Sequence, residues 1–216
     1  MSTTGFSKFN YYEQALINNL RGTAPTAVAT PYLGLSIAAT LSAAPSSGQN
    51  QIQTATNIPV GSTVQIFPAA GPYTSGDANG PFTVSATSGA GPYTLTLSAN
   101  LAANHSIGDY ISYSPIDSGG GVNEISGNAY ARQAVTFGAP AANGSGSTTG
   151  SKSVISAQIS FPTATGTWGL VCWAVVFDAL TAGNKLLYGQ LTTPQLIGSG
   201  NQLIFPASTG LSYTED

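Results

Sequence analysis

Side-chain chemistry at neutral pH needs a base, a nucleophile or a metal site, and this 216-residue chain carries one histidine, one cysteine and eight acids from which to build them. His105 lies in Ala-Ala-Asn-His-Ser-Ile-Gly-Asp, which reads as a turn ahead of a strand, so a polar turn residue is expected rather than a general base. Cys172 stands between Val171 and Trp173 in an uncharged run, which predicts a buried, inert thiol. A Cys–His pair would need Cys172 to leave that run and reach His105. Counting residues leaves a Ser-His-Asp triad open, but no Gly-X-Ser-X-Gly elbow follows a strand and opens a helix; Gly144-Ser-Gly-Ser-Thr148 reads as linker. Glycoside hydrolysis needs two carboxyl groups facing a cleft. The acids here are Glu13 on a helix, then Asp77, Asp109, Asp117, Glu124, Asp178, Glu215 and Asp216, mostly at turns, and no two form a pair legible in the sequence. Asp77-Ala-Asn-Gly80 echoes the start of a calcium loop without its later ligands, so a plain Asx turn is expected. Arg132 is expected to tie a loop carbonyl or a carboxylate while its stem covers apolar surface. The reading is therefore no catalytic residue, no cofactor and no metal site.

Only 6% of the residues are charged, about a quarter of the usual share, so Ser, Thr, Asn, Gln and backbone must solvate the surface. Lys8, Arg21, Arg132, Lys152 and Lys185 are scattered and build no phosphate-tracking stripe, which argues against nucleic acid as a partner. A single cysteine permits no intrachain disulfide. No apolar run stands behind Lys8, and no window reaches the roughly 20 apolar residues of a membrane span. Synthesis in a cytosol, with no export signal and no membrane partner, is the expectation.

Whatever chemistry exists must be positioned by β structure. The runs Ser153–Phe161, Trp168–Asp178, Lys185–Leu191 and Asn201–Phe205 are rich in β-branched and aromatic residues and bounded by Gly, Pro, Asn or Thr, as consecutive antiparallel strands are. Trp168–Phe177 holds no charge, so it should be the central strand, buried over most of its length. One helix is predicted over residues 7–21, with Phe9, Tyr12, Leu16 and Leu20 on one face, Ser7 as cap and Gly22 as stop. Core cover is its expected use. A first strand falls at 30–39, and short strands at 51–57, 63–67, 81–87, 92–98 and 109–113. The Gly-Pro-Tyr-Thr copies at 71 and 91, with Gly-Pro-Phe-Thr at 80, are turn chemistry rather than a solenoid repeat. Small, flexible residues at Ser42–Gly48 and Ser118–Gly121 bracket the middle of the chain, and the parent sheet resumes at 127–137. The predicted fold is all-β: a discontinuous antiparallel β-sandwich or jelly-roll-like domain with an N-terminal helix (1–44 and 118–216), carrying an inserted small β-barrel-like domain at 45–117.

The N-terminal helix, Tyr32-Leu-Gly-Leu-Ser, Gly127-Asn-Ala-Tyr-Ala-Arg-Gln-Ala-Val-Thr, Phe161-Pro-Thr-Ala-Thr-Gly-Thr-Trp-Gly169 and Val176-Phe-Asp-Ala through Leu191-Thr-Thr-Pro, in that order, together resemble a family of tailed-bacteriophage virion proteins of tail-fibre-like or minor structural type. The segments Asn57–Ile66 and Tyr93–His105 look like a small β module of phage surface proteins. The resemblance implies a non-enzymatic virion protein made in the host cytoplasm. A fibre shaft is built from β repeats, Gly-X-Y or heptads, none of which is present. A compact module suits the outer capsid face, so the expected role is a decoration or cement protein stabilising the shell across major capsid subunits. The alternative is a tail-fibre or tail-associated protein whose inserted module contacts the host surface. With almost no charge to protect open strand edges, a homo-oligomer is expected, and a trimer suits local three-fold positions of a shell. The candidate interface is Phe6, Phe9, Tyr11 and Tyr12, aromatics that offer large contact area at low entropy cost; plain core cover is its competitor.

Overall fold

A computed structural model describes residues 6–116, 122–142 and 150–215. In chain order the elements are β1 (Ser7–Lys8), α1 (Asn10–Leu20), β2 (Tyr32–Ile37), β3 (Ala39–Thr40), β4 (Gln51–Thr54), β5 (Thr63–Phe67), β6 (Phe82–Ser88), β7 (Tyr93–Leu97), β8 (Tyr110–Tyr113), β9 (Gln133–Ala134), β10 (Ala141–Ala142), β11 (Ser151–Val154), β12 (Ile159–Ser160), β13 (Gly169–Phe177), β14 (Lys185–Ile197), β15 (Ile204–Phe205) and β16 (Ser212–Glu215). The fold is mostly β with one helix among the described residues, as the composition and spacing imply.

The uncharged run becomes β13, in the middle of a five-stranded antiparallel sheet ordered β1-β14-β13-β2-β9. Ala174 and Val176 point into the main core, and Val175 and Phe177 point the other way, the period-two alternation of a strand. Val171 shares the core face with Ala174, three residues on, because a bulge between Val171 and Trp173 resets the alternation. At the same place the register with β13 jumps from Gln190 to Gln195, so that Pro194, which lacks an N–H, falls outside the register pairs with β13. This lets β14 run well beyond the expected 185–191.

Leu33 and Leu35 of β2, Ala174 and Val176 of β13, and Leu191 and Ile197 of β14 form one layer of the sandwich core. The opposite layer consists of two small sheets, β10-β11-β16 and β12-β15, contributing Ile159 and Phe205 together with Ile155, Phe161 and Leu211 beside them. The Ser153–Phe161 run is thus not a neighbour of β13 in one sheet: it splits into β11 and β12 and crosses to the facing layer, and the tail pairs with β11 as β16. The segment expected to resume the sheet at 127–137 pairs as a strand at β9 and by a single bridge from Phe137 to Ile155, because Gly127, Asn128 and Ala129 all take positive φ and close a turn on which Tyr130 N–H bonds Gly127 O at 2.9 Å.

The middle of the chain forms a six-stranded sheet ordered β3-β8-β5-β6-β7-β4, closed by a bridge between Leu41 and Thr54 and by Ser42 N–H to Gln53 O at 2.8 Å. Its interior is Ile52, Val64, Ile66, Phe82, Val84, Leu95, Leu97 and Ile111, the inward members of alternating strands. All three Gly-Pro bonds, at 71, 80 and 91, are cis. The barrel rests on the second face of β13: Phe67, Tyr73 and Tyr110 pack with Leu170, Cys172 and Trp173, and Trp173 Nε1–H bonds Ser112 Oγ at 3.2 Å.

The helix differs from expectation at both its start and its use. Ser7 is in β1, paired with Tyr188, and Phe9 occupies the N-cap without a side-chain cap bond. The stop is as expected: Gly22 at φ 84° lets its own N–H bond Asn19 O and Thr23 N–H bond Asn18 O, the paired bonds of a Schellman motif. No residue of α1 is buried, and Leu20 is 89% exposed. The strand pair β1–β14 fixes the chain before the helix begins, so the covering is done by Phe6 and Phe9 ahead of it rather than by its Leu16–Leu20 face.

Treating the barrel as a separable unit gives a direct test. Replacing residues 46–116 with a short Gly/Ser linker is expected to leave a folded sandwich with a lowered Tm, since Leu170, Cys172 and Trp173 lose their cover at about 1.5–3 kcal/mol for each large apolar side chain. A flat near-UV circular dichroism spectrum would mean that the two lobes fold only together.

Candidate functional site

Four groups of residues singled out by the sequence now have positions. Arg132 enters from the turn after Tyr130 and meets Glu124 in a bidentate pair, Nε to Oε1 and Nη2 to Oε2, both at 2.7 Å. Its Nη1 donates to Ala179 O at 2.9 Å and Ala182 O at 2.7 Å, and the guanidinium lies 3.4 Å from the Phe177 ring centroid. Tyr130 O–H donates to Glu124 Oε1 at 3.0 Å and accepts Leu35 N–H at 2.8 Å; burial, then the Glu124 charge, push its phenol up. Gly34 makes room for this network: a Cβ there would sit 2.8 Å from both Glu124 Oε1 and Phe177 Cε2. The expected role of Arg132, tying a carboxylate and loop carbonyls while stacking on apolar surface, is what the structure shows. The network borders an open groove of about 410 Å³ lined by Glu124, Tyr130, Arg132 and Leu180. Four of the guanidinium's five N–H donors are already engaged inside the fold, so its chemistry is that of a structural brace.

The sequence missed the second group. Asp77 and Asp109, 32 positions apart and expected to be unpaired turn acids, meet at His105, whose Nε2 lies 3.0 Å from Asp77 Oδ2 and Nδ1 3.3 Å from Asp109 Oδ2. The expected Asx turn at Asp77 is present, with Asn79 N–H on Oδ1 at 2.9 Å. The same carboxylate also accepts the Ala102 and Ala103 N–H groups. Burial pushes the Asp77 carboxyl up, but the hydrogen bonds from Ala102, His105, Asn79 and Ala103 outweigh it and hold the group below its ordinary value. Both ring nitrogens face carboxylates, so neither is left to activate a serine or thiol. The legible signal was compositional: Asp77, His105 and Asp109 are the only acidic, basic or histidine residues between 41 and 116.

Cys172 is fully buried beneath the barrel, its Sγ 3.6 Å from Leu170 O, and burial pushes its thiol up to about 12. That suits the expected inert core residue. Asp178 closes the β13–β14 connection by accepting Asn184 N–H at 2.6 Å and its side-chain amide at 2.7 Å. Asp117, Asp216 and the Gly144–Thr148 linker lie outside the described residues, and no group of three His, Cys, Asp or Glu suited to a metal occurs among those described.

The fourth group is the aromatic segment. Phe6 joins the sandwich core. Phe9 is fully buried against Val175 and Phe177, its ring 4.7 Å from that of Tyr188 and 4.9 Å from Lys185 Nζ. Tyr12 packs half-buried on the core, and Tyr11 is 48% exposed on the helix with Ile17 and Leu20.

Comparison with known proteins places part of the chain beside a phage family. Residues 109–211, running from the start of β8 almost to the end of the described sandwich, match the family model described as Podophage GP4 fiber I protein gp80. This supports a phage virion structural protein family of fibre type, in agreement with the resemblance carried by Gly127–Thr136, Phe161–Gly169 and Val176–Pro194. No curated protein matches the chain.

Arg132→Ala is expected to cost about 3 kcal/mol, because it strands Glu124 and two loop carbonyls in a partly buried site, and Arg132→Lys should recover only a minor part, since an ammonium cannot form the fork. Urea denaturation followed by tryptophan fluorescence reads both values; a loss below about 0.5 kcal/mol for the alanine variant would show the brace to be dispensable.

Proposed function

We propose that the chain is a non-enzymatic structural subunit of a tailed-phage virion, part of or attached to a tail fibre, with the barrel as the module turned towards the host surface. The observation that carries this reading is the fibre-family match over residues 109–211, which takes in β13, β14 and all of the facing layer except β16. The polar clusters support a non-catalytic role. Arg132 and Glu124 brace loops, His105 has both nitrogens on carboxylates, and Cys172 is sealed in the core.

The partners follow from what is left uncovered. Helix α1 has 11 residues and no buried side chain, and isolated helices of that length are marginal in water. Tyr11, Ile17 and Leu20 on it are apolar and exposed, so a contact in the assembled particle suits them, either with sister subunits in a trimer or with a neighbouring tail protein. The segment from Phe6 to Tyr12 then has two uses, Phe6 and Phe9 fastening it to its own sheet and Tyr11 facing outward.

A second reading has one observation in its favour. The described residues form compact lobes, and the sequence holds no heptads or Gly-X-Y repeat of a shaft. That suits a decoration or cement protein spread across major capsid subunits. Counting copies per purified virion separates the readings: a handful, localised to the tail by imaging, is expected, whereas hundreds distributed over the shell would replace the fibre reading with the decoration one. Sedimentation of the full chain should give a trimer, and a strictly monomeric species with Tyr11, Ile17 and Leu20 still exposed would remove the self-association part of the proposal.

A further inference from the structure

We propose that the Asp77–His105–Asp109 cluster is a pH-operated clasp: it fastens the 68–80 loop, and with it the joint between barrel and sandwich, when the ring carries two protons, and loosens when one is lost. Three observations carry this, and none depends on the virion reading. The first is donor counting. An imidazolium offers one N–H to each carboxylate, whereas a neutral ring offers one N–H and turns a lone pair on the other. Side-chain exposure is 7% for His105, 0% for Asp77 and 9% for Asp109, so little water is present to relieve that mismatch.

The second is isolation. Residues 41–116 contain no Lys, Arg or Glu, no other Asp and no other His. The remaining titratable groups on the tied segments are Tyr73 and Tyr110, and burial, then the proximity of Tyr73, push the Tyr110 hydroxyl further up. Within the barrel, then, no other cation competes for the two carboxylates, and this imidazole is their one nitrogen partner from a side chain.

The third is mechanical. Asp109 Oδ1 accepts Ala69 N–H at 3.0 Å, and Asp77 N–H bonds Ile66 O at 3.1 Å, so the two acids hold both ends of the loop that carries Tyr73. Tyr73 O–H returns to Ala69 O at 2.9 Å, and its ring meets Phe67 and Tyr110, which pack on Leu170 and Cys172 of β13. The backbone of Asp109 also accepts Leu41 N–H at 2.8 Å, and Gly108 N–H bonds Leu41 O at 2.9 Å, where the chain passes from the sandwich into the barrel. Loosening the ring therefore acts on the joint itself.

The sign of the pH dependence follows from the two kinds of group. The Asp77 carboxyl is held below its ordinary 3.8, so its support is complete above that value and is lost as pH falls through the lower folded one. The ring acts on the other side by donor count: two N–H groups hold both carboxylates and one holds a single carboxylate, so the clasp loosens when a ring proton is lost. The clasp is tightest between these limits.

His105 is the only histidine, so its ring signals in an NMR titration of the full chain report on this site alone. Amide protection at Ala69, Ala102 and Ala103, corrected for intrinsic exchange, is expected to fall about tenfold in step with that titration. The pH step should vanish in His105→Gln, which keeps one donor and one acceptor. Should that variant fail to fold, the wild-type titration decides by itself. A ring that deprotonates in the folded chain without change at those three amides overturns the clasp, as does a ring found neutral where their protection is highest or a His105→Gln protein that keeps the same pH step.

Discussion

A strand that is apolar on both faces must be covered twice, and that requirement on β13 organises the molecule. One face, with Ala174 and Val176, is met by the small sheets across the sandwich core. The other, with Leu170, Cys172, Val175 and Phe177, has no helical layer to cover it. It is closed by two pieces from elsewhere in the chain: the barrel through Phe67, Tyr73 and Tyr110, and the N-terminal segment through Phe9. The inserted barrel is therefore part of the core architecture and not only a module on a stalk. The same demand explains why β1, only two residues long, matters: its pairing with β14 sets Phe9 over Val175 and Phe177.

Scarcity of charge shapes everything polar. With 6% of residues charged, several of the ionic groups that are present act at junctions. Arg132 and Glu124 join the β2 neighbourhood to the loop after β13 over the Phe177 ring. His105 and its two acids tie the barrel's loops where they meet the sandwich. Lys185 sits over Phe9, with its Nζ 3.4 Å from Ile116 O at the end of the barrel segment. These clusters present neither a nucleophile nor an open coordination site.

Much of this was legible in the residues. The uncharged Trp168–Phe177 run announced the central strand, the short strands at 51–57, 63–67, 81–87, 92–98 and 109–113 were readable as a set of their own, and Arg132 was readable as a brace because it is the one charge in 127–137. Long-range polar pairing was not legible: nothing local says that Asp77 and Asp109 converge on His105, since loop closure over 32 positions is decided by the barrel. The helix misled for a different reason. Its spacing of Phe9, Tyr12, Leu16 and Leu20 is that of a covering face, but the docking fades along it: Phe9 is buried, Tyr12 and Leu16 are half-buried, and Leu20 runs out into solvent. The Ser153–Phe161 run has strand composition throughout, and only the tertiary fold divides it between two facing sheets.

The barrel seals the second face of β13, and the lone cysteine beneath it reports this directly. Native-state labelling of Cys172 with a thiol reagent should be very slow in the wild-type chain and at least about tenfold faster in Phe67→Ala/Tyr73→Ala, with the sandwich still folded by circular dichroism. Rapid labelling of the wild-type protein, or an unchanged rate in that double variant, would contradict the account.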